Sequence, residues 1–166
     1  MTRWRHPPSG RLKLNVDGAF QMDTGQGGIG AVIRDENGRF LAAIARPFSF
    51  VCSALHMELE AMRAGLLLVI HQGMMNVDIE TDCATVGTAL KGDFEDLSEV
   101  GNIIEDCKSY LRAIPSVSLQ SIYREANDVA HRLAHLASSG YVDEYWLEEA
   151  PVIIQDVLYE DSCTST

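Results

Sequence analysis

Long apolar runs are missing from this chain of 166 residues, and so are paired cysteines. No stretch approaches the roughly 20 apolar residues of a membrane-spanning helix. The first eight residues have the composition of neither a secretory signal nor a transit peptide. The four cysteines show no CxxC spacing, which excludes the common zinc and redox patterns. We therefore expect free thiols, no membrane partner and an intracellular location, in the nucleus or the cytoplasm.

Basic residues are scarce in the second half of the chain. The formal net charge is −11. Residues 1–92 hold nine acids and nine bases, whereas residues 93–166 hold fifteen acids and four bases, so the second half carries the whole excess. This distribution counts against tight binding of nucleic acid, because contacts from basic residues to phosphates normally supply most of that affinity.

Alternation of apolar and polar residues predicts five strands. In residues 11–20 the side chains of Leu12, Leu14 and Val16 share one face. The other strands are predicted over residues 29–35, 39–48, 76–81 and 117–123. A glycine-rich turn over residues 25–30 and a hairpin turn over residues 36–39 join the first three strands, which therefore form an antiparallel meander.

Apolar residues spaced three and four apart predict four helices. The strongest pattern begins at Ser53 as N-cap, ends near Gly73 and places five apolar residues on one face, namely Leu55, Leu59, Met62, Leu66 and Val69. The others are predicted over residues 82–90, 97–112 and 127–138. The order βββαβααβα predicts an α/β fold with a five-stranded mixed sheet flanked by helices. We expect residues 1–160 to form a single domain and residues 161–166 to form a disordered tail.

Three acids occupy positions from which they can meet at one edge of the sheet. Asp17 lies on the polar face of the first strand, Glu58 lies early in the first long helix, and Asp82 follows the fourth strand. Magnesium prefers several carboxylate oxygens, and two such ions can promote phosphodiester hydrolysis. Taken singly, each acid is better explained as a turn residue, an exposed helix residue or a helix cap. Spacing alone therefore predicts an α/β domain with a possible metal site.

Five motifs in order resemble the plant ribonuclease H-like family, the domain found in non-LTR retroelement reverse transcriptases and in stand-alone plant relatives. The resemblance covers about residues 4–161. The motifs are Lys13-Leu14-Asn15-Val16-Asp17-Gly18-Ala19, Gly27–Asp35 with Gly38-Arg39-Phe40, Met57-Glu58-Leu59-Glu60-Ala61, Ile79-Glu80-Thr81-Asp82-Cys83, and Arg124-Glu125-Ala126-Asn127 with Ala130-His131. Five motifs in sequence are far more specific than one.

The resemblance implies a ribonuclease H-like fold and a metal-dependent endonuclease that hydrolyses the RNA strand of RNA–DNA hybrids, acting as a monomer. It implies two Mg²⁺ or Mn²⁺ ions on Asp17, Glu58 and Asp82. Glu60 is the rival of Glu58, but it lies about 200° further around the helix and cannot face the same metal. Glu58 is favoured because the family pattern places an alanine three residues after the glutamate, and Ala61 fits.

The chain departs from the family at the fourth acidic position, which is occupied by His131. We assign His131 to the catalytic group, and we assign Asp128, one helical turn earlier, as a further metal ligand. Two other family features, a loop histidine before the last helix and a basic segment that grips the hybrid, are missing.

Four further residues are predicted to contact the substrate, with 2′-hydroxyl groups of the RNA as targets: Asn15, Gly18, Gly28 and Asn127. Two other functions remain open. The departures at the fourth position favour a catalytically inactive module that binds nucleic acid or protein. A 3′–5′ exonuclease on the same scaffold is a third alternative, since one fold hosts several chemistries.

Overall fold

A computed structural model describes residues 3–92, 98–140 and 142–163. Its strands are β1 Leu12–Gln21, β2 Gln26–Arg34, β3 Phe40–Phe48, β4 Asn76–Thr81, β5 Ser116–Ser121 and β6 Glu144–Leu147. Its helices are α1 Ala54–His71, α2 Ala84–Lys91, α3 Gly101–Ala113, α4 Asp128–Ser138 and α5 Val152–Cys163, with a short 3-10 turn over Arg124–Ala126. The expected order of elements is present, and one strand and one helix follow it. No helix among the described residues is long and apolar enough to cross a membrane.

The strands form one mixed sheet in the order β5-β4-β1-β2-β3-β6. β1, β2 and β3 pair antiparallel, as the meander predicted, whereas β4 runs parallel to both β1 and β5. The sheet has six strands rather than the expected five, because β6 pairs antiparallel with β3 through Ala42–Ala45. β6 is only four residues long, too short for alternation to identify it.

Helices cover both faces of the sheet and bury two apolar clusters. The larger cluster lies under α1 and α3 and includes Leu14, Val16 and Leu66. The smaller cluster lies under α4 and α5 and includes Val32, Leu133 and Ile154. The sheet is therefore buried on both sides, and α1 and α4 approach β1 from opposite faces.

Most of the glycine-rich segment is part of a strand and not the turn that the sequence predicted, and only Gly25 of the predicted range lies in the turn before β2. Gly27, Gly28 and Gly30 lie within β2. Gly28 and Gly30 face α4, whereas Gly27 faces Met57 of α1 on the other side of the sheet. A Cβ atom at Gly28 would lie 2.3 Å from the backbone nitrogen of Ser138, and one at Gly30 would lie 2.4 Å from the carbonyl oxygen of Ala130. The glycines are therefore required for close packing of helix against sheet, and they set how near α4 comes to β1.

The end of the chain is ordered further than expected. Helix α5 buries Ile154, Val157 and Leu158 and continues to Cys163. The expected disorder of residues 161–163 is therefore wrong, and residues 164–166 lie outside the described residues. The reason is an ion pair that sequence pattern does not reveal, in which Asp161 Oδ2 lies 2.7 Å from Nη1 of Arg34. Arg34 is 1% exposed and stacks 3.9 Å from the ring centre of Trp4.

Replacing Asp161 by Asn is expected to destabilise the chain by roughly 3 kcal/mol, because removal of one partner leaves a buried guanidinium without its counterion. Urea unfolding measures this loss. The matched control is Asp156→Asn, on the same helix as Asp161. It breaks an exposed ion pair with Arg132 of α4 and should barely move the unfolding midpoint. Equal effects of the two substitutions would contradict a special role for the pair between Asp161 and Arg34.

Candidate metal centre

Three carboxyl groups meet where the ladder between β1 and β4 ends. This ladder pairs Val16 with Thr81, so the next residues along each strand, Asp17 and Asp82, lie side by side. Glu58 reaches them from the second turn of α1, whose backbone lies against Gly18. One carboxylate oxygen from each acid lies within 4.8 Å of the other two.

Gly18 is what allows α1 to come this close. A Cβ atom there would lie 2.4 Å from the carbonyl carbon of Met57 and 2.6 Å from the backbone nitrogen of Glu58. Any larger residue would push the helix, and Glu58 with it, away from Asp17. Gly18 therefore positions the acidic group, in addition to lining the pocket in front of it.

The three carboxylates repel one another, and little solvent reaches them to screen their charges. Burial, followed by the charges of Glu58 and Asp82, raises the pKa of Asp17 to about 10. Burial also raises the pKa of Glu58 to about 7, and the charge of Asp82 contributes. The Oε2 atom of Glu58 is buried and has no hydrogen-bond partner among the described residues. A group of three carboxylates whose charges are only partly balanced, and in which one buried oxygen has no hydrogen-bond partner, fits a hard divalent cation such as Mg²⁺.

Glu60, the alternative to Glu58 as a metal ligand, faces away from Asp17 and Asp82. Its carboxylate lies 2.7 Å from Nη2 of Arg63 and 3.6 Å from Nε2 of His56, on a different side of α1. The placement agrees with the choice of Glu58, because the two acids are two residues apart and cannot share a target.

His131 lies at the edge of the acidic group. Its Nδ1 is 3.1 Å from Oδ2 of Asp17. Burial, with the charges of His135 and Arg124 next, lowers the pKa of His131 to about 4, so the imidazole is neutral at physiological pH. The sequence placed His131 at the fourth acidic position, and the structure brings it into contact with the acids.

Arg124 and His135 complete the pocket, and the sequence analysis did not single out either as a site residue. Nη1 of Arg124 lies 3.9 Å from Oδ2 of both Asp17 and Asp82. His135 stacks near His131, with ring centres 3.9 Å apart. Both residues line the same pocket, which has a volume of about 570 Å³. Their positions in the sequence could have indicated both residues as site residues. Arg124 follows a strand that runs parallel to β4, and His135 lies one helical turn after His131.

Asn15 and Asn127 do not face the pocket, so their expected contact with substrate is wrong. Asn15 is 0% and Asn127 1% exposed. The amide of Asn15 donates to Oδ1 of Asn127, and the amide of Asn127 donates to the carbonyl of Val16. These bonds fasten the start of α4 to β1 and thereby hold His131 beside Asp17.

Gly28 and Asp128 are also placed away from the acids. Gly28 lies buried under α4 and cannot reach a 2′-hydroxyl group. Asp128 pairs with Arg132 at 3.5 Å and lines a different cavity, near α5. The expected metal ligation by Asp128 is therefore wrong, because its side chain leaves α4 on another face than that of His131.

Comparison with known proteins agrees with the fold. The family model described as reverse transcriptase-like matches residues 15–137. An Arabidopsis thaliana protein named "Putative ribonuclease H protein At1g65750" is 28% identical over 166 residues. That alignment covers all of this chain but 27% of the relative, so the chain spans about a quarter of that protein's length.

Solved ribonucleases H share the architecture. The N-terminal RNase H domain of Rv2228c from Mycobacterium tuberculosis superposes with a TM-score of 0.72 at 18% identity, covering 78% of this chain and 94% of that one. RNase H1 from Halobacterium salinarum gives 0.71 at 21% identity, covering 79% and 99%. LC11-RNase H1, solved in complex with an RNA/DNA hybrid, gives 0.70 at 21% identity, covering 78% and 97%.

The fold is thus that of ribonuclease H, a mixed α/β sheet with acids gathered at the end of two parallel strands. The chain belongs to the reverse transcriptase-like family of ribonuclease H-like domains.

Proposed function

We propose that the chain is a metal-dependent endonuclease that hydrolyses the RNA strand of RNA–DNA hybrids. The observation that carries the proposal is the approach of Asp17, Glu58 and Asp82 to within 4.8 Å of one another. Family membership supports ribonuclease H-type chemistry, and the named hybrid complex of LC11-RNase H1 supports the substrate class.

The acids, Arg124 and the residues that hold the helices in place have distinct roles in the proposed reaction. Divalent ions bound by Asp17, Glu58 and Asp82 would supply Lewis acidity and an activated water. Arg124 partly balances the negative charge of the acids, and its half-exposed guanidinium can donate hydrogen bonds to a phosphate oxygen. Asn15, Asn127 and Gly18 keep α4 and α1 at the right distance from β1.

A cleavage assay tests the proposal directly. The chain is incubated with end-labelled RNA–DNA hybrid in Mg²⁺ or in Mn²⁺, beside double-stranded RNA, double-stranded DNA and single-stranded RNA of the same sequence. We expect internal cuts in the RNA of the hybrid alone, with 5′-phosphate ends. Loss of single nucleotides from the 3′ end would instead indicate an exonuclease. Absence of cleavage in both metals would contradict the proposal.

A second candidate is a catalytically inactive module that binds hybrids. The observation in its favour is that the fourth position holds the neutral imidazole of His131, which removes a negative charge from the group. The excess of acids in residues 93–166 also opposes tight binding. Hybrid binding with no cleavage in either metal would select this function.

Replacing His131 by Asp is expected to raise the cleavage rate in Mg²⁺ on the order of tenfold, because a carboxylate binds magnesium better than an imidazole does. The wild-type chain should be weak in Mg²⁺ and clearly faster in Mn²⁺, which accepts nitrogen ligands more readily. Steady-state rates of both proteins in each metal measure this. The control is Ser139→Asp, which adds the same single negative charge at an exposed position directly after α4. Equal magnesium rates for wild type and His131→Asp would contradict the prediction.

A further inference from the structure

His131 and His135 form a pair on one face of α4. They are four residues apart, so one lies a single helical turn above the other. Their ring centres are 3.9 Å apart, and the ring planes are tilted by 53°. Both rings line the pocket in front of the acids and are partly exposed there. Nothing in the proposed hydrolysis needs the second imidazole.

We propose that His131 and His135 form a separate site for a borderline transition-metal ion of the Zn²⁺ class, next to the carboxylate group. Imidazole nitrogens suit zinc, copper and nickel, whereas carboxylates suit magnesium. Two histidines at positions i and i+4 of a helix present their nitrogens to one ion in many zinc sites. Two nitrogens bound tetrahedrally at 2.0–2.1 Å from zinc lie about 3.3 Å apart. Ring centres 3.9 Å apart allow nitrogen–nitrogen separations that include this value.

Asp17 orients the first of the two ligands. When Mg²⁺ on the carboxylate group keeps Asp17 ionised, the contact of 3.1 Å between Nδ1 of His131 and Oδ2 of Asp17 is a hydrogen bond in which Nδ1 donates to the carboxylate. In that tautomer Nε2 of His131 keeps its lone pair for a metal. A ligating histidine that donates its other ring nitrogen to a carboxylate is the usual arrangement in zinc sites.

The histidine site is distinct from the carboxylate group. Within residues 3–92, 98–140 and 142–163, one group of three side chains brings its metal-ligating atoms to within 4.8 Å of one another. Its members are Asp17, Glu58 and Asp82, and neither histidine belongs to it. Arg124 opposes cation binding near both sites, but the three acids outnumber it. Water molecules would fill the remaining coordination positions of an ion held by two nitrogens.

Titration of the whole chain with ZnCl₂, followed by calorimetry in excess Mg²⁺, tests the proposal. The excess Mg²⁺ competes with zinc at the carboxylates but not at the imidazoles. We expect one zinc ion per chain in the wild type, and a loss of affinity of about tenfold or more in His135→Gln. His71→Gln, at the exposed end of α1, and Cys83→Ser, in the same pocket, are the matched controls and should bind as the wild type does. Unchanged binding by His135→Gln would overturn the proposal.

Nuclear magnetic resonance of the imidazole ring protons gives a second readout. Zinc should move the signals of His131 and His135 and leave those of His56 and His71 in place. Shifts confined to other histidines would also overturn the proposal. The Asp82→Asn variant separates this inference from the proposed function. That variant should lose hybrid cleavage and retain zinc binding within about twofold, since Asp82 contacts neither histidine.

Discussion

Replacing Asp82 by Asn should lower the rate of hybrid cleavage by about a thousandfold or more, and Asp17→Asn and Glu58→Gln should do the same. Each substitution removes one carboxylate from the group whose oxygens lie within 4.8 Å of one another. An amide of the same shape binds a divalent ion far more weakly than a carboxylate, and it cannot hold the ion in place. Single-turnover cleavage of labelled hybrid in Mg²⁺ and in Mn²⁺ measures the loss.

The matched control for the acids is Glu60→Gln, two residues from Glu58 on the same helix. Glu60 faces Arg63 and His56, so its replacement should change the rate by less than about threefold. All four variants should give the circular dichroism spectrum of the wild type, because the amides fit the same space. Normal cleavage by Asp82→Asn would remove the basis of the proposed function, and a large loss in Glu60→Gln would show that Glu58 was the wrong choice.

The free energy of unfolding of the metal-free chain should fall as pH rises from 7 to 8.5. In this range Asp17 still holds its proton in the folded chain, where its pKa is about 10. An unfolded Asp has lost its proton at this pH. The unfolded state therefore binds fewer protons than the native state, and stability decreases with pH by on the order of 1 kcal/mol per unit. Urea unfolding in EDTA at pH 7, 7.5, 8 and 8.5 gives this slope.

Asp17 contributes most of this slope, and two buried thiols add to it at the upper end of the pH range. Burial raises the pKa of Cys83 and raises that of Cys107 to about 12, whereas unfolded thiols ionise near pH 8.5. Glu58, with a pKa of about 7, is half protonated at pH 7 and adds to the slope mainly below pH 8. His131, with a pKa of about 4, is neutral in both states. The Asp17→Asn variant should show a much flatter slope, and so should the wild type in saturating Mg²⁺, because a bound dication keeps the carboxylate ionised. An equal slope in Asp17→Asn would contradict the prediction.

Most of the secondary structure follows from local pattern. The boundaries of β4 were predicted correctly as Asn76–Thr81, because turn signals on both sides of this short buried strand define where it begins and ends. The N-cap of α1 is also Ser53, as predicted, and its side chain accepts from the backbone nitrogen of His56. The glycines of β2 misled the sequence reading, because they resemble a turn until a helix is seen to pack on them.

The candidate site was predicted in part. The choice of Asp17, Glu58 and Asp82 rested on motifs, and the structure brings these three together. Asn15 and Asn127 belong to the same motifs, but their side chains bond to each other beneath the pocket. A motif shows that a residue type is required at a position, and it does not show whether the side chain faces substrate or holds the scaffold.

By itself, the sequence determined the order of the first nine strands and helices, because this order depends on residue type and local spacing. Its motifs indicated the family and, through that resemblance, the three candidate acids. Only the tertiary structure decided which polar residues reach the pocket. His131 faces Asp17 and Asp128 faces Arg132 because α4 is fixed in rotation by glycines of β2 beneath it and by Asn127 at its start. Arg34 likewise pairs with Asp161, which is 127 residues away in the sequence. Such pairings depend on long-range packing of buried groups, which local periodicity does not encode.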